Sequence, residues 1–269
     1  MLRLLFILSL LVSSCNGSTK LNDSSQTAID YQKQLAPNSF SADSLLSGIQ
    51  NKINQTFIQS LILHNDEELI KLGDKLNALY KTKNQNIILY WQAYLHYDTS
   101  IFYLQQNDKK KAANAIDQGV DLLKNMKNKN SEDYALLAML QSFSIQFQNM
   151  NAFFISAEVS KNIKNALEID STNTRAYYVL ASNDFYTPKK YGGGKKTEKY
   201  LLKAIALPAQ KIPNNYLPSW GKEEAYEMLI RNYIQNQQWD LAKKYYQQGI
   251  KAYPQSYMIN QLASQLVGK

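Results

Sequence analysis

Few residues in this sequence have types that could do chemistry, and their spacing limits what that chemistry could be. The one cysteine, Cys15, follows Val12-Ser13-Ser14 and an apolar run from Leu4 to Val12 broken only by Ser9. With no second cysteine it forms no disulfide within the chain. Two histidines, His64 and His96, are too few parts for a zinc site or a histidine-based nucleophile system. His64 falls at a helix break and reads as solvated. His96 lies among Tyr90, Tyr94 and Tyr97 and reads as a satisfied core histidine. Acidic clusters at Asp66-Glu67-Glu68, Glu132-Asp133 and Glu223-Glu224 each open a predicted helix, where carboxylates offset the positive end of the dipole. No spacing sets an acid and a base across one cleft for glycoside hydrolysis. Gly192-Gly193-Gly194-Lys195-Lys196-Thr197 has Lys189 where a phosphate loop needs its first glycine, and no strand precedes it. It reads as a turn whose glycines supply positive φ. No reaction, cofactor or metal is expected from these residues.

The N-terminus has a different character. Met1-Leu2-Arg3, a short apolar core and small residues compose a secretory signal. The core is far shorter than the roughly 20 residues a membrane-crossing helix needs. Val12-Ser13-Ser14-Cys15 resembles the lipobox of bacterial lipoproteins. The resemblance implies that residues 1–14 are a cleaved signal peptide and that Cys15 becomes the lipidated first residue. It also implies several acyl chains, a stable hold on a membrane where one chain gives only marginal binding. Residues 15–41 are dominated by Ser, Thr, Asn, Asp and Gln and read as a flexible polar tether. Asn16 stands where an aspartate favours inner-membrane retention in the enterobacterial sorting rule. With no acidic run in the tether, the expected location is the outer membrane, facing the periplasm.

The elements behind the tether must be helices. The chain has 269 residues, 45% of them hydrophobic, but only 10 glycines and 6 prolines, a composition for long helices and few turns. Leu45, Leu46, Ile49, Ile53, Phe57, Ile58 and Leu61 recur at helical spacing, as do Leu69, Leu72, Leu76, Leu79 and Tyr80. Residues 87–104 are apolar or aromatic on nearly every face, which predicts a helix sandwiched between neighbours. Further helices are predicted over 109–127, 132–148, 155–169, 174–186, 196–207, 222–236, 239–252 and 256–267. No stretch alternates with the period of a half-buried strand. The fold class is all-α, and residues 42–269 read as one domain.

The helices come in pairs, and the last pair resembles a tetratricopeptide repeat (TPR) over residues 223–256. Tyr226, Leu229, Ile230 and Tyr233, then Ala242, Tyr246, Gly249 and Pro254, occupy the repeat's spacing, with Ile230 in place of a small residue. Ser100, Tyr103, Ala112, Ile116 and Gly119 fit a second copy without the closing proline. Tyr177, Leu180 and Ala181 with Leu201 and Ala204 fit a third, carrying four inserted residues around the triple glycine. The resemblance implies antiparallel helix pairs stacked as an α-solenoid whose first helices line a concave groove. In that register the groove takes Tyr94, Tyr97 and Ile101, then Arg175, Tyr178, Ser182 and Tyr186, and finally Glu227, Arg231 and Gln235.

Net charge is +8, falling by one to +7 when Arg3 leaves with the signal, and it suits acidic partners. The charge is mostly lysine, however, and Arg175 and Arg231 are the only arginines after the signal, which argues against nucleic-acid recognition. Both fall on the projected groove among tyrosines, residue types enriched at binding hot spots. The expected function is that of a membrane-anchored, non-catalytic scaffold for an envelope protein or peptide. The alternative is a carrier or substrate-binding lipoprotein for a glycan or peptide.

Overall fold

The computed structural model describes residues 44–148 and 151–269; the expected signal peptide (1–14), Cys15 and the expected tether (15–41) lie outside the described residues. Within them the chain is all-α, with no strand. The helices are α1 (Ile49–Leu63), α2 (Glu67–Lys83), α3 (Asn86–Gln105), α4 (Lys109–Asn125), α5 (Ser131–Ser144), α6 (Ala152–Ile169), α7 (Thr174–Tyr186), α8 (Thr197–Ala206), α9 (Lys222–Gln235), α10 (Trp239–Ala252) and α11 (Tyr257–Asn260). Consecutive helices pack in pairs, the solenoid-like arrangement expected from the sequence. Side chains written into the sequence set several starts. Asp108, Asn173 and Ser256 accept the backbone N–H three residues on, from Lys111, Ala176 and Ile259. At α5, Asn130 accepts from the amides of Glu132 and Asp133, while Asp133 accepts from the amide of Asn130, closing a capping box.

Although no long polar linker divides the sequence, the helices form two compact units. An N-terminal unit holds the described residues up to Ser171 together with Ile212–Pro218; a C-terminal unit holds Thr172–Lys211 and Ser219–Lys269. In the N-terminal unit α3 is the central element, with thirteen of its twenty residues buried, as an element apolar on most faces must be. Trp91 is completely buried, and its indole N–H donates to the carbonyl of Tyr216 at 2.9 Å. The same distant segment returns to the start of α1, where the carbonyl of Asn215 accepts from the amide of Gly48 at 3.0 Å. Gly119 lets α4 come close: a Cβ there would sit 2.9 Å from the Leu140 side chain and 3.2 Å from the carbonyl oxygen of Ala93.

The C-terminal unit packs Ala181, Leu201, Ala204, Ala225, Met228, Leu229, Tyr233 and Ala242 into one core. Leu229, Tyr233 and Ala242 are thus in the seam that their spacing indicated. The triple-glycine segment is a turn, with Gly192 and Gly194 at φ 88° and 79°. One carboxylate oxygen of Asp184 gathers it by accepting from the amides of Lys196 and Thr197 and from the Thr197 hydroxyl, each at 2.7 Å. Gly193 presses so closely on Thr187 that a Cβ would lie 1.9 Å from its carbonyl oxygen.

Two predicted helices end otherwise. Residues 132–148 divide into α5 and a 3-10 turn at Ile145–Phe147. There the Ser144 hydroxyl donates to the carbonyl of Gln141, the kind of local bond by which serine competes with helix continuation. Residues 256–267 form only the single turn α11 and a 3-10 stretch at Gln261–Gln265, anchored by buried Ile259, Leu262 and Leu266. So short a terminal segment has few bonds to offset the cost of nucleating an α-helix.

Candidate functional site

The residues projected onto one groove take several different positions. In the N-terminal unit Tyr94 is 6% exposed, its ring edge-on to Trp91 at 5.7 Å and tilted against Tyr97 at 6.4 Å. The half-buried Tyr97 meets Phe143 at 5.0 Å. This face of α3 is a packed aromatic seam.

In the C-terminal unit Arg175 is 4% exposed. Its guanidinium donates to the carbonyls of Ala209 at 2.9 Å and Trp220 at 3.0 Å and lies 5.9 Å from the Trp220 ring centre. It ties α7 to the segment leading into α9. Tyr178, one turn on, stands edge-on to Trp220 at 6.2 Å; Ser182 is half-buried, and Tyr186 packs edge-on against Phe185 at 5.0 Å. On α9, Glu227 and Arg231 form an i,i+4 pair at 3.3 Å, half-buried. Arg231 keeps its side chain 30% exposed, so among the two arginines it is the one open to a partner.

The burial of Arg175 carries a direct expectation. Arg175→Ala removes charge-assisted donors from two carbonyls and should destabilise the C-terminal unit by about 3 kcal/mol. Arg175→Lys should recover only part, because an ammonium lacks the flat guanidinium that reaches both carbonyls from one nitrogen while facing the Trp220 ring. Chemical denaturation of the three proteins measures this; equal midpoints would refute it.

A large cavity lies elsewhere, wholly inside the N-terminal unit. It is a trough of about 1230 Å³ running over α3 between α2 and α4. Each helix contributes a polar stripe at helical spacing. From α2 and its C-terminal cap come Asn77, Tyr80 and Asn84; from α3 Gln92, His96, Thr99 and Tyr103; from α4 Asn114, Gln118, Asp121 and Asn125. Gln92 and His96 stand two residues from Tyr90 and Tyr94, about 200° around the helix. The trough therefore lies on the side of α3 opposite the projected groove.

Its floor is buried yet chemically unfilled. Gln92 is 7% exposed and finds no hydrogen-bond partner among the described residues. The His96 ring has none there either. The expectation of a satisfied core histidine is thereby corrected, since this imidazole faces a cavity. Burial lowers its pKa from 6.5 to about 4, so it is neutral at pH 7 and offers one donor and one acceptor. At one end, the Tyr103 hydroxyl donates to Asp66 at 2.7 Å and the Lys111 ammonium sits 5.1 Å from its ring centre. Burial, then the Asp66 contact, raises the Tyr103 hydroxyl to about 12. Two carboxylates, Asp74 and Asp121, are matched by Lys111 and Lys127 around the rim. Such a surface offers neutral donors and acceptors. No three His, Cys, Asp or Glu side chains among the described residues come together as a metal site. No described helix is long and apolar enough to cross a membrane.

No family model matches the chain, and no curated protein matches it. Among solved structures, the chain is similar to the HusA haemophore from Porphyromonas gingivalis, with TM-score 0.48 and 21% identity over 69% of this chain and 93% of that one. It is also similar to NprR in complex with its cognate peptide NprX, with TM-score 0.28 and 16% identity over 91% of this chain and 78% of that one. Both likenesses are remote, and the functional reading of this chain rests on its own residues.

Proposed function

We propose that this chain is a non-catalytic binding protein of the bacterial cell envelope, held to a membrane through lipidated Cys15 and serving as a scaffold for a protein partner. The observation that carries the reading is the trough on α3, a large open cavity whose buried floor holds polar groups with unfilled hydrogen-bonding capacity. The Gln92 amide opens into the trough without a partner among the described residues, so a ligand lying there can supply bonds to it. The lipobox and the polar tether support the anchoring, and the arrangement of helix pairs supports binding over reaction.

Crosslinking in intact cells, with the tagged chain keeping Cys15, tests the proposal. One envelope protein should be recovered reproducibly, and Cys15→Ala should move the chain from the membrane to the soluble fraction. Arg231→Ala supplies a probe: its half-buried i,i+4 pair contributes only about 0.5 kcal/mol, so the fold survives and any lost capture reports contact with the partner. Failure to label Cys15 with fatty acid removes the anchor from the proposal. Failure to capture any protein removes the scaffold.

A further inference from the structure

The geometry points to the trough on α3 as the binding site for an extended, uncharged peptide segment held by its backbone. This deepens the scaffold reading and rests on it. The side chains that line the trough include eight amides, from Asn77, Asn84 and Asn86, from Gln92, and from Asn114, Gln118, Asn125 and Asn128. A side-chain amide has two donors and a two-lone-pair acceptor and so matches the N–H and C=O of a peptide group. The stripes on α2, α3 and α4 repeat this chemistry along the trough. From Gln92 to Tyr103 the floor runs eleven residues, about 16 Å of helix, which spans roughly five residues of extended peptide. A volume of about 1230 Å³ is larger than the roughly 300–1,000 Å³ usual for a small-molecule pocket and suits a chain lying lengthwise.

The charges and rings narrow the occupant. Asp74 and Asp121 against Lys111 and Lys127 leave the lining neutral, and His96 adds no charge at pH 7. A strongly acidic or phosphorylated ligand finds no excess of cations there. A glycan needs open aromatic faces against which its rings can lie. The two lining tyrosines are Tyr80 and Tyr103, and Tyr103 is already held by Asp66 and faced by Lys111. No tryptophan lines the cavity. Backbone recognition is what remains, with affinity from main-chain bonds and register from the spacing of the stripes.

The test uses the full chain and a phage-displayed random heptapeptide library. Selection should enrich peptides low in charge that bind the wild type. Asn77→Ala, Asn114→Ala and Gln118→Ala, all at exposed positions, should each weaken the selected peptide about tenfold without loss of fold. Gln92→Leu, which keeps the floor filled, should do the same. Methylating alternate backbone nitrogens of the peptide, with side chains unchanged, should abolish binding. Peptides that tolerate those methyl groups or the three rim substitutions, an empty selection, or saturation of the trough by a neutral oligosaccharide probe would each overturn the inference. The intact-cell crosslink separates the two proposals: capture that persists in the triple rim variant leaves the scaffold standing without this trough, whereas no capture even in wild type defeats the scaffold itself.

Discussion

Trp91→Ala is expected to destabilise the N-terminal unit by about 4 kcal/mol, the largest effect of any single truncation considered for this chain. The indole is fully buried at the centre of α3, edge-on to Tyr90 at 5.1 Å and to Tyr94 at 5.7 Å, so its removal leaves a cavity the surrounding helices cannot collapse to fill. It also strips the Tyr216 carbonyl of the indole N–H. Trp91→Phe separates the two losses: it keeps most of the packing and should cost about 2 kcal/mol, from the lost bond and the smaller ring. Because two units need not unfold together, a single melting curve is a poor measure. Amide hydrogen exchange resolved to α1–α4 is the right one. Protection in α3 that stays at wild-type levels in Trp91→Ala would contradict the central role given to this side chain.

The second large effect depends on pH. Asp133 is 1% exposed, and only one of its carboxylate oxygens has a hydrogen-bond partner in the described structure. Burial, partly offset by the bond from the Asn130 amide, raises its pKa from 3.8 to about 7. A carboxyl that holds its proton more tightly folded than unfolded destabilises the fold as pH rises. The loss begins above the unfolded value near 3.8 and is complete above about 7. Asp133→Asn keeps the acceptor in the capping box and cannot ionise. It should be close to wild type at pH 4 and more stable by about 4 kcal/mol at pH 8. His96 works in the opposite sense: its unfolded form takes a proton from about 6.5 down while the folded form waits until about 4, so acid costs stability across that window. The difference between wild type and Asp133→Asn cancels the histidine. Denaturant midpoints from pH 4 to 8 for both proteins give the answer, and parallel curves would show that Asp133 does not titrate as described.

The helices were legible in the sequence because their signal is local. Leu69, Leu72 and Leu76 repeat at the helical period and are the buried residues of α2. The break read at His64 is an αL residue that ends α1. The candidate site was harder to read. Gln92, His96 and Thr99 sit inside the same aromatic run as Tyr90, Trp91, Tyr94 and Tyr97, and helical spacing alone does not say which face the neighbouring helices leave open. That depends on the gap between α2 and α4, a tertiary distance with no local pattern. Arg175 shows the same limit. Its residue type suggested a binding contact, but its acceptors lie 34 and 45 residues further along the chain. Asp133 was assigned to a helix start correctly, while its near-total burial depends on the elements packed around it.

The return of Ile212–Pro218 to the N-terminal unit has a consequence for the order in which this chain can fold. A ribosome delivers α1–α6 long before residue 216, so the nascent helices wait with the Trp91 indole N–H lacking the acceptor it finds 125 residues later. Closing so long a loop is entropically costly and slow, and it makes one unit's completion depend on the first segment of the other, Thr172–Lys211, having been synthesised. A fragment cut after Ser171 is therefore not an independent domain. The smallest piece that holds every contact of the N-terminal unit must reach Pro218, and in doing so it carries α7 and α8 without the α9 and α10 that share their core.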